Sequence, residues 1–372
     1  MLVLVIVLER VPLERSITSR STSTSTITRP VSKLLARYFL YAVIALTAFI
    51  ATSGTIHSLL PPMVPKGVAA KLEFFTQHKD EFDTLFVGTS HFYYTISPQI
   101  FDQTTRSGGL ETHSFNFGVN GMHPPENFYI LEQILKTKPQ KLKWVFLEMA
   151  EIERKTKEDL LGTQRILYWH DWPRTSLTLR KTLDPRDNLK WYDNISRIWT
   201  SRRVLALHLG LFLKRFTNGG RAADLLPASQ DDREATAKLE LGPAGDGYRT
   251  AGSAMSPERA ITFQNALALE LSTAGPRTVD RYTEMAFRDA AAKLRQAGAL
   301  PVFVATPVIF QSSLQFRSSP PPGPILAFND AKTYPAFFDP SVRIDDDHLT
   351  REGAEAFTRL LAREFVRVAH QP

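Results

Sequence analysis

Four short apolar segments mark the strands of a predicted sheet. Each is rich in aromatic or β-branched residues, and the third is interrupted only by Glu148. Continuous rather than alternating apolar strands are typical of a parallel sheet that is covered on both faces. The predicted strands are Thr84–Val87, Ser114–Val119, Trp144–Met149 and Pro301–Thr306.

Segments with apolar residues at helical spacing alternate with these strands. The helix predicted from Pro125 to Lys136 places Phe128, Leu131 and Leu135 on one face. A short helix over residues 97–106 begins with a Ser-Pro pair, since serine caps a helix and proline fits its first turn. This alternation predicts an α/β fold with a doubly wound, mostly parallel sheet. The other predicted helices are 68–78, 278–297 and 351–368.

Between residues 151 and 276 the alternation stops. The first part is charged and aromatic and holds four of the five tryptophans, whereas residues 217–256 are rich in Gly, Ala and acidic residues. We interpret the interval as an insertion of helices and a long loop. Trp169 and Trp172 either bind a glycan or a membrane partner or pack the helices against the core, and packing is the commoner use of such residues.

The N-terminal region has a different pattern. Phe39–Ile56 is eighteen residues without a charge, close to the ~20 that a membrane-spanning helix needs. Lys33 and Arg37 precede it, so the positive-inside rule places the N-terminus in the cytoplasm and the rest of the chain outside it. We therefore predict a transmembrane anchor over residues 38–58 and a folded domain over 66–372. A cleaved signal peptide and a buried soluble helix are the alternatives.

Residues 1–37 are predicted to be disordered and basic. Ten of the thirteen residues from 16 to 28 are Ser or Thr, a composition that cannot bury a core. This region holds a net charge of +4 out of the +7 of the whole chain, which leaves an ordinary +3 for the other 335 residues. The charge therefore does not indicate nucleic-acid binding. The chain has no cysteine, which excludes disulfides and thiol nucleophiles.

Candidate catalytic residues lie at the two ends of the predicted domain. Ser90 follows the first strand, at the sheet edge where open α/β folds place their ligands. Near the C-terminus, Asp345 stands three residues before His348 and ahead of the last helix. Serine, histidine and a carboxylate together can perform nucleophilic catalysis, with the histidine as base. His91 is a rival base, but neighbouring side chains at a turn usually diverge, so we favour His348.

These motifs resemble those of the SGNH (GDSL-like) hydrolase and acyltransferase superfamily. Gly88-Thr89-Ser90 is similar to its nucleophile block, residues 116–121 to its second block, and Asp345–His348 to its terminal block. The membrane-anchored members that acylate exported polysaccharides, such as the alginate O-acetyltransferase accessory proteins, look nearest. The resemblance implies a three-layer α/β/α domain with Ser90, His348 and Asp345 as a catalytic triad.

The resemblance also implies an oxyanion hole, made by the backbone N–H groups of Ser90 and Gly121. The sequence departs from the family where an asparagine normally follows the third strand, because Leu147-Glu148-Met149-Ala150 is found there instead. An ionised carboxylate would repel the developing oxyanion, so Glu148 either binds substrate or pairs with a basic residue. Loss of one oxyanion donor typically costs ~10²–10³ in turnover, which predicts a slow hydrolase.

Three functions are compatible with this pattern. The first is acyl transfer, most simply of acetyl groups, to a cell-envelope glycan, or ester hydrolysis on it, with a membrane protein as acyl donor at a bacterial inner membrane. The second is a soluble esterase, which the anchor disfavours. The third is a non-catalytic assembly protein with the same fold. The sequence holds no HExxH motif, no glycine-rich phosphate loop and no histidine pair at metal-ligand spacing, so we predict no metal or other cofactor.

Overall fold

The computed structural model describes residues 28–60, 64–152, 165–184, 194–218, 230–250, 252–273, 277–309 and 314–370. The predictions for the Ser/Thr-rich tract up to residue 27 and for part of the 61–65 linker lie outside these residues. The chain divides into two compact units, residues 1–55 and residues 56–372.

The first unit contains most of a single long helix, α1, Thr28–Leu59. It begins ten residues before the predicted anchor, so residues 28–37 are helical and the prediction of disorder is wrong there. Helix-forming residues follow Pro30, which a first helical turn tolerates. The stretch Lys33–Leu59 has a mean hydropathy of 2.0, and it is long and apolar enough to cross a membrane.

The second unit is built on a five-stranded, all-parallel sheet. The strand order is β2-β1-β3-β5-β7, and Leu85 of β1 lies between Phe115 of β2 and Val145 of β3. The chain moves outward in one direction from β1 to β2 and in the other from β3 onwards, so the order reverses between β1 and β3. The strands are β1 Thr84–Val87, β2 Ser114–Asn116, β3 Trp144–Glu148, β5 Leu300–Ala305 and β7 Ile325–Ala327.

Helices cover both faces of the sheet and enclose two apolar cores. Alternate strand residues point to opposite faces, so Leu85 and Val87 lie in one core and Phe86 in the other. Helices α2, α5 and α11 pack on the first face, and α4 and α12 on the second. These helices are α2 Lys66–His78, α4 Pro98–Ser107, α5 Glu126–Lys136, α11 Arg281–Gln296 and α12 Arg351–Ala369. The α/β class with a parallel sheet is therefore confirmed.

The remaining elements come largely from the insertion. The segment predicted as loop contains a helix over residues 230–241, with Asp231 and Asp232 in its first turn, where they favour a helix N-terminus. Strand β7 was also not predicted, because it is only three residues long. These elements are α3 Ser90–Thr95, α6 Arg165–Tyr168, α7 Trp172–Leu183, α8 Asn194–Phe216, α9 Gln230–Leu241, α10 Pro257–Thr273, and the two-stranded β4 Arg277–Thr278 and β6 Leu314–Gln315.

Candidate active site

Ser90 lies at the carboxyl edge of the sheet, where the strand order reverses. Strand β1 ends at Val87, and Ser90 is the first residue of the short helix α3. Ligands of open α/β sheets bind in the crevice at this switch point. The turn requires glycine at position 88, because an added Cβ there would lie 2.6 Å from Glu148 Oε2 and from the Phe92 ring.

Three side chains form a hydrogen-bonded chain at this edge. His348 Nε2 lies 2.8 Å from Ser90 Oγ, and His348 Nδ1 lies 2.9 and 3.0 Å from the two oxygens of Asp345. Ser90 is 8% exposed and the His348 side chain 20%, so the group is shielded but open on one side. The structure thus brings together the serine, histidine and carboxylate that the sequence motifs single out.

The protonation pattern follows from Asp345. Burial would raise the pKa of this carboxyl, but hydrogen bonds from His348 and from the Asp347 and His348 N–H groups hold the pKa well below its usual value. An ionised Asp345 can only accept, so Nδ1 of His348 carries the proton that it donates. In the neutral imidazole, Nε2 then has a lone pair directed at the Ser90 hydroxyl, which is the arrangement that general-base catalysis needs.

A buried arginine holds the loop that carries Asp345 and His348. The Arg343 side chain is fully buried and donates to the carbonyl oxygens of Asp345 at 3.1 Å, Asp346 at 2.5 Å and Pro307 and Phe337 at 2.8 Å. Sequence analysis missed this residue, because a single arginine in a loop has no distinguishing pattern. Asp346 and Asp347 do not cap α12, since the Thr350 side chain does so by accepting from the Gly353 N–H.

Glu148 pairs with a basic residue, one of the two roles the sequence left open. It is 1% exposed, and its oxygens accept from the Thr89 N–H at 2.5 Å, the Thr89 hydroxyl at 3.1 Å and His91 Nδ1 at 2.5 Å. Burial alone would lower the pKa of His91, but the Glu148 charge raises it, and His91 in turn keeps the pKa of Glu148 low. The carboxylate therefore faces the turn that carries Ser90 and does not line a surface.

The predicted oxyanion donors lie on two turns that are tied together. The Val119 N–H donates to the Gly88 carbonyl at 3.0 Å, and the Asn116 side chain joins the β2 turn to α3 through Phe92 and Ile96. Gly121 has a φ of +67°, a left-handed conformation that favours glycine. Neither the Ser90 nor the Gly121 N–H donates a hydrogen bond to any residue that the structure describes.

The two tryptophans that were candidates for substrate binding have different environments. Trp169 is 8% exposed, stacks on His170 with ring centroids 3.8 Å apart and belongs to the core. Trp172 is 57% exposed and contacts Phe212. Of the two uses that the sequence left open, Trp169 therefore has the commoner one, packing, because its ring lies in the apolar core. An aromatic residue beside His348 is Tyr94, whose ring meets that of His348 edge-on at 5.4 Å.

Comparison with protein-family models, with curated proteins and with solved structures finds no match to this chain. Within the described residues, no group of three or more His, Cys, Asp or Glu is placed to hold a metal ion.

Proposed function

We propose that the protein is a serine-dependent acyltransferase or esterase of the SGNH type. The observation that supports this most strongly is the hydrogen-bonded chain from Ser90 through His348 to Asp345 at the switch point of a parallel sheet. These residues come from opposite ends of the domain, and a chance alignment of nucleophile, base and carboxylate at a ligand-binding edge is improbable.

The reaction has two halves. In the first, Ser90 Oγ attacks the acyl carbonyl while His348 Nε2 takes the hydroxyl proton, and the oxyanion forms near the Ser90 and Gly121 N–H groups. His348 then returns the proton to the leaving group, which leaves an acyl-Ser90 ester. In the second half, His348 removes a proton from an acceptor hydroxyl, which attacks the ester and releases Ser90. A sugar hydroxyl as acceptor gives transfer, and water gives hydrolysis.

The acceptor in this proposal is a cell-envelope glycan outside the cytoplasm. The support is the apolar helix α1, which we propose as a single-pass anchor in a bacterial inner membrane, with the donor an acylated membrane protein. The absence of an asparagine donor after β3 fits an enzyme that works with a partner protein as acyl donor better than it fits a fast hydrolase. The exposed Trp172 is a candidate for stacking on a sugar ring.

A fluorophosphonate serine probe tests the chemistry directly. Wild-type protein should be labelled at Ser90, and Ser90→Ala and His348→Ala should each abolish labelling while the folded state is retained. The double variant should have a residual turnover little below that of either single variant, because these residues act as a unit. Absence of wild-type labelling, together with full biological activity of Ser90→Ala, would instead support a non-catalytic assembly protein.

A further inference from the structure

The peptide unit between Asn120 and Gly121 receives a hydrogen bond from a cation. Arg165 Nη1 donates to the Asn120 carbonyl oxygen at 2.6 Å. This carbonyl and the Gly121 N–H belong to one planar peptide unit, which is trans, so the two groups point in opposite directions. With the carbonyl turned toward Arg165, the Gly121 N–H is turned away from it. A charged donor on a carbonyl also polarises the peptide and makes its N–H a stronger donor.

The Arg165 side chain is held firmly in this position. Its Nε and Nη2 donate to Glu126 Oε1 at 3.1 and 2.8 Å, and the same oxygen accepts from the Tyr168 hydroxyl. Glu126 is 4% exposed and Arg165 20%. The buried Glu126 carboxylate thus accepts from Nε and Nη2 of the guanidinium, and Nη1 is left to donate to the Asn120 carbonyl.

The polarised peptide belongs to the turn that packs against the Ser90 helix. Gly118 lies so close to α3 that an added Cβ would be 2.4 Å from the Tyr93 backbone nitrogen. The Asn116 side chain accepts from the Gly118 N–H at 2.7 Å and fixes the start of the same turn. The Asn120–Gly121 peptide therefore belongs to a turn whose start is fixed against the helix that Ser90 begins.

We infer that Arg165 is a positioning residue for the oxyanion hole. It orients the Gly121 N–H and strengthens it as a donor, and it thereby offsets the missing asparagine after β3. The inference rests on the proposed function, because it assigns Arg165 a role only if an oxyanion forms at Ser90. It also gives the insertion a catalytic task, since α6 brings Arg165 to a turn 45 residues earlier in the chain.

The test compares Arg165→Met with Arg165→Lys and with Arg288→Met as a matched control. Arg288 also pairs with a glutamate, Glu284, and also donates to backbone carbonyls, but on α11. The measurements are kcat and KM for p-nitrophenyl acetate, per labelled active site, and the affinity for an aryl trifluoromethyl ketone, which forms an anionic adduct on the serine.

For Arg165→Met we expect kcat to fall roughly 10- to 100-fold, short of the ~10²–10³ of a lost donor, with KM nearly unchanged. Affinity for the ketone should fall by the same factor. Arg165→Lys should lie in between, and Arg288→Met should match wild type. A purely structural role would lower the number of labelled sites without changing kcat per site.

Several outcomes would overturn the inference. If Arg165→Met has the same kcat and the same ketone affinity as wild type, the inference is wrong while the proposed function stays intact. A wild-type protein that no serine probe labels would overturn both. If Arg165→Met fails to fold, Glu126→Gln and Arg165→Lys make the same comparison. The first weakens the ion pair that holds the Arg165 guanidinium, and the second replaces it with a shorter cationic side chain. Unchanged ketone affinity in both variants would contradict the positioning role.

Discussion

Three acidic residues near Ser90 differ in what they contact. Asp345 accepts from the His348 ring and from two backbone N–H groups. Glu148 accepts from Thr89 and His91 in the protein interior. Asp347 is exposed, and its N–H donates to Asp345. Under the proposed function, these contacts predict that Asp345, and not Asp347, affects turnover.

Asp345→Asn should be strongly impaired and Asp347→Asn nearly normal. The amide at position 345 can donate to His348 and so permits the wrong imidazole tautomer, which costs roughly 10⁴-fold in kcat in a Ser-His-Asp triad. The same substitution two residues later alters only an exposed charge. Steady-state ester hydrolysis by both variants checks this. A larger loss in Asp347→Asn would show that the carboxylate is wrongly assigned.

The Glu148–His91 pair should contribute to stability as a unit. Glu148→Ala leaves a buried histidine without its counter-charge and two Thr89 donors without an acceptor, so we expect the free energy of unfolding to fall by about 3–5 kcal/mol. A double-mutant cycle with Glu148→Gln and His91→Gln, measured by urea denaturation, tests the coupling. The double variant should lose less than the sum of the single ones, and strict additivity would argue against a pair.

At the scale of elements, a buried lysine of α2 joins two turns beside the site. Lys71 is fully buried, and its Nζ donates to the carbonyls of Asn116 at 3.1 Å, Gly118 at 2.6 Å and Gly247 at 2.8 Å. It also lies 4.1 Å from the centre of the Tyr93 ring. Burial lowers its pKa to about 7, against the opposing charges of Glu240 and Asp246. The β2 turn is thus held by a group whose charge changes near neutral pH.

Lys71 predicts a pH dependence of stability. Its pKa is about 7 in the folded protein and near 10.5 in the unfolded chain, so between these values the unfolded state binds more protons. Stability due to Lys71 therefore rises with pH across this window, by at most ~1.4 kcal/mol per pH unit. The measurement is the difference in unfolding free energy between wild type and Lys71→Met from pH 7 to 10. A flat difference would mean that Lys71 keeps its proton in the folded protein.

The sequence predicted the elements whose own residues carry the pattern. The apolar runs at Thr84 and Trp144 and the helical stripe of 351–368 are local signals, and the structure has all three elements. Strand β7 has only three residues and follows a proline-rich loop, so its own sequence does not predict a strand. Its extended conformation is stabilised by pairing with β5. Helix α9 was hidden by a composition that resembles a loop.

The site was predictable to the same extent. Ser90, Asp345 and His348 lie in short motifs with an ordered spacing. The residues that support the turns around them belong to no such motif. His91 and Glu148 are 57 residues apart, and Lys71 meets Gly247 across 176 residues. Such contacts exist only once the sheet has formed, and no local spacing of residue types records them.

At the scale of the whole molecule, the role that we propose for α1 is to place the domain on one side of a membrane. Its exposed side chains include Phe39, Leu40, Ile44 and Leu46, which water would solvate at a cost. The single-pass proposal predicts that a reporter fused after Lys66 is active only if it is of the type that requires export. A fusion before Lys33 should show the opposite behaviour. Activity of a cytoplasmic-type reporter after Lys66 would exclude the proposed orientation.

Ser90 and His348 are 258 residues apart along the chain, so Ser90 is synthesised well before His348. Synthesis at about 5–20 residues per second produces the base tens of seconds after the nucleophile. Under the proposed mechanism, Ser90 lacks the base that activates it until the C-terminal segment has been made and has docked. An unfinished chain should therefore have no activated serine, and neither should one that a protease has cleaved ahead of Arg343.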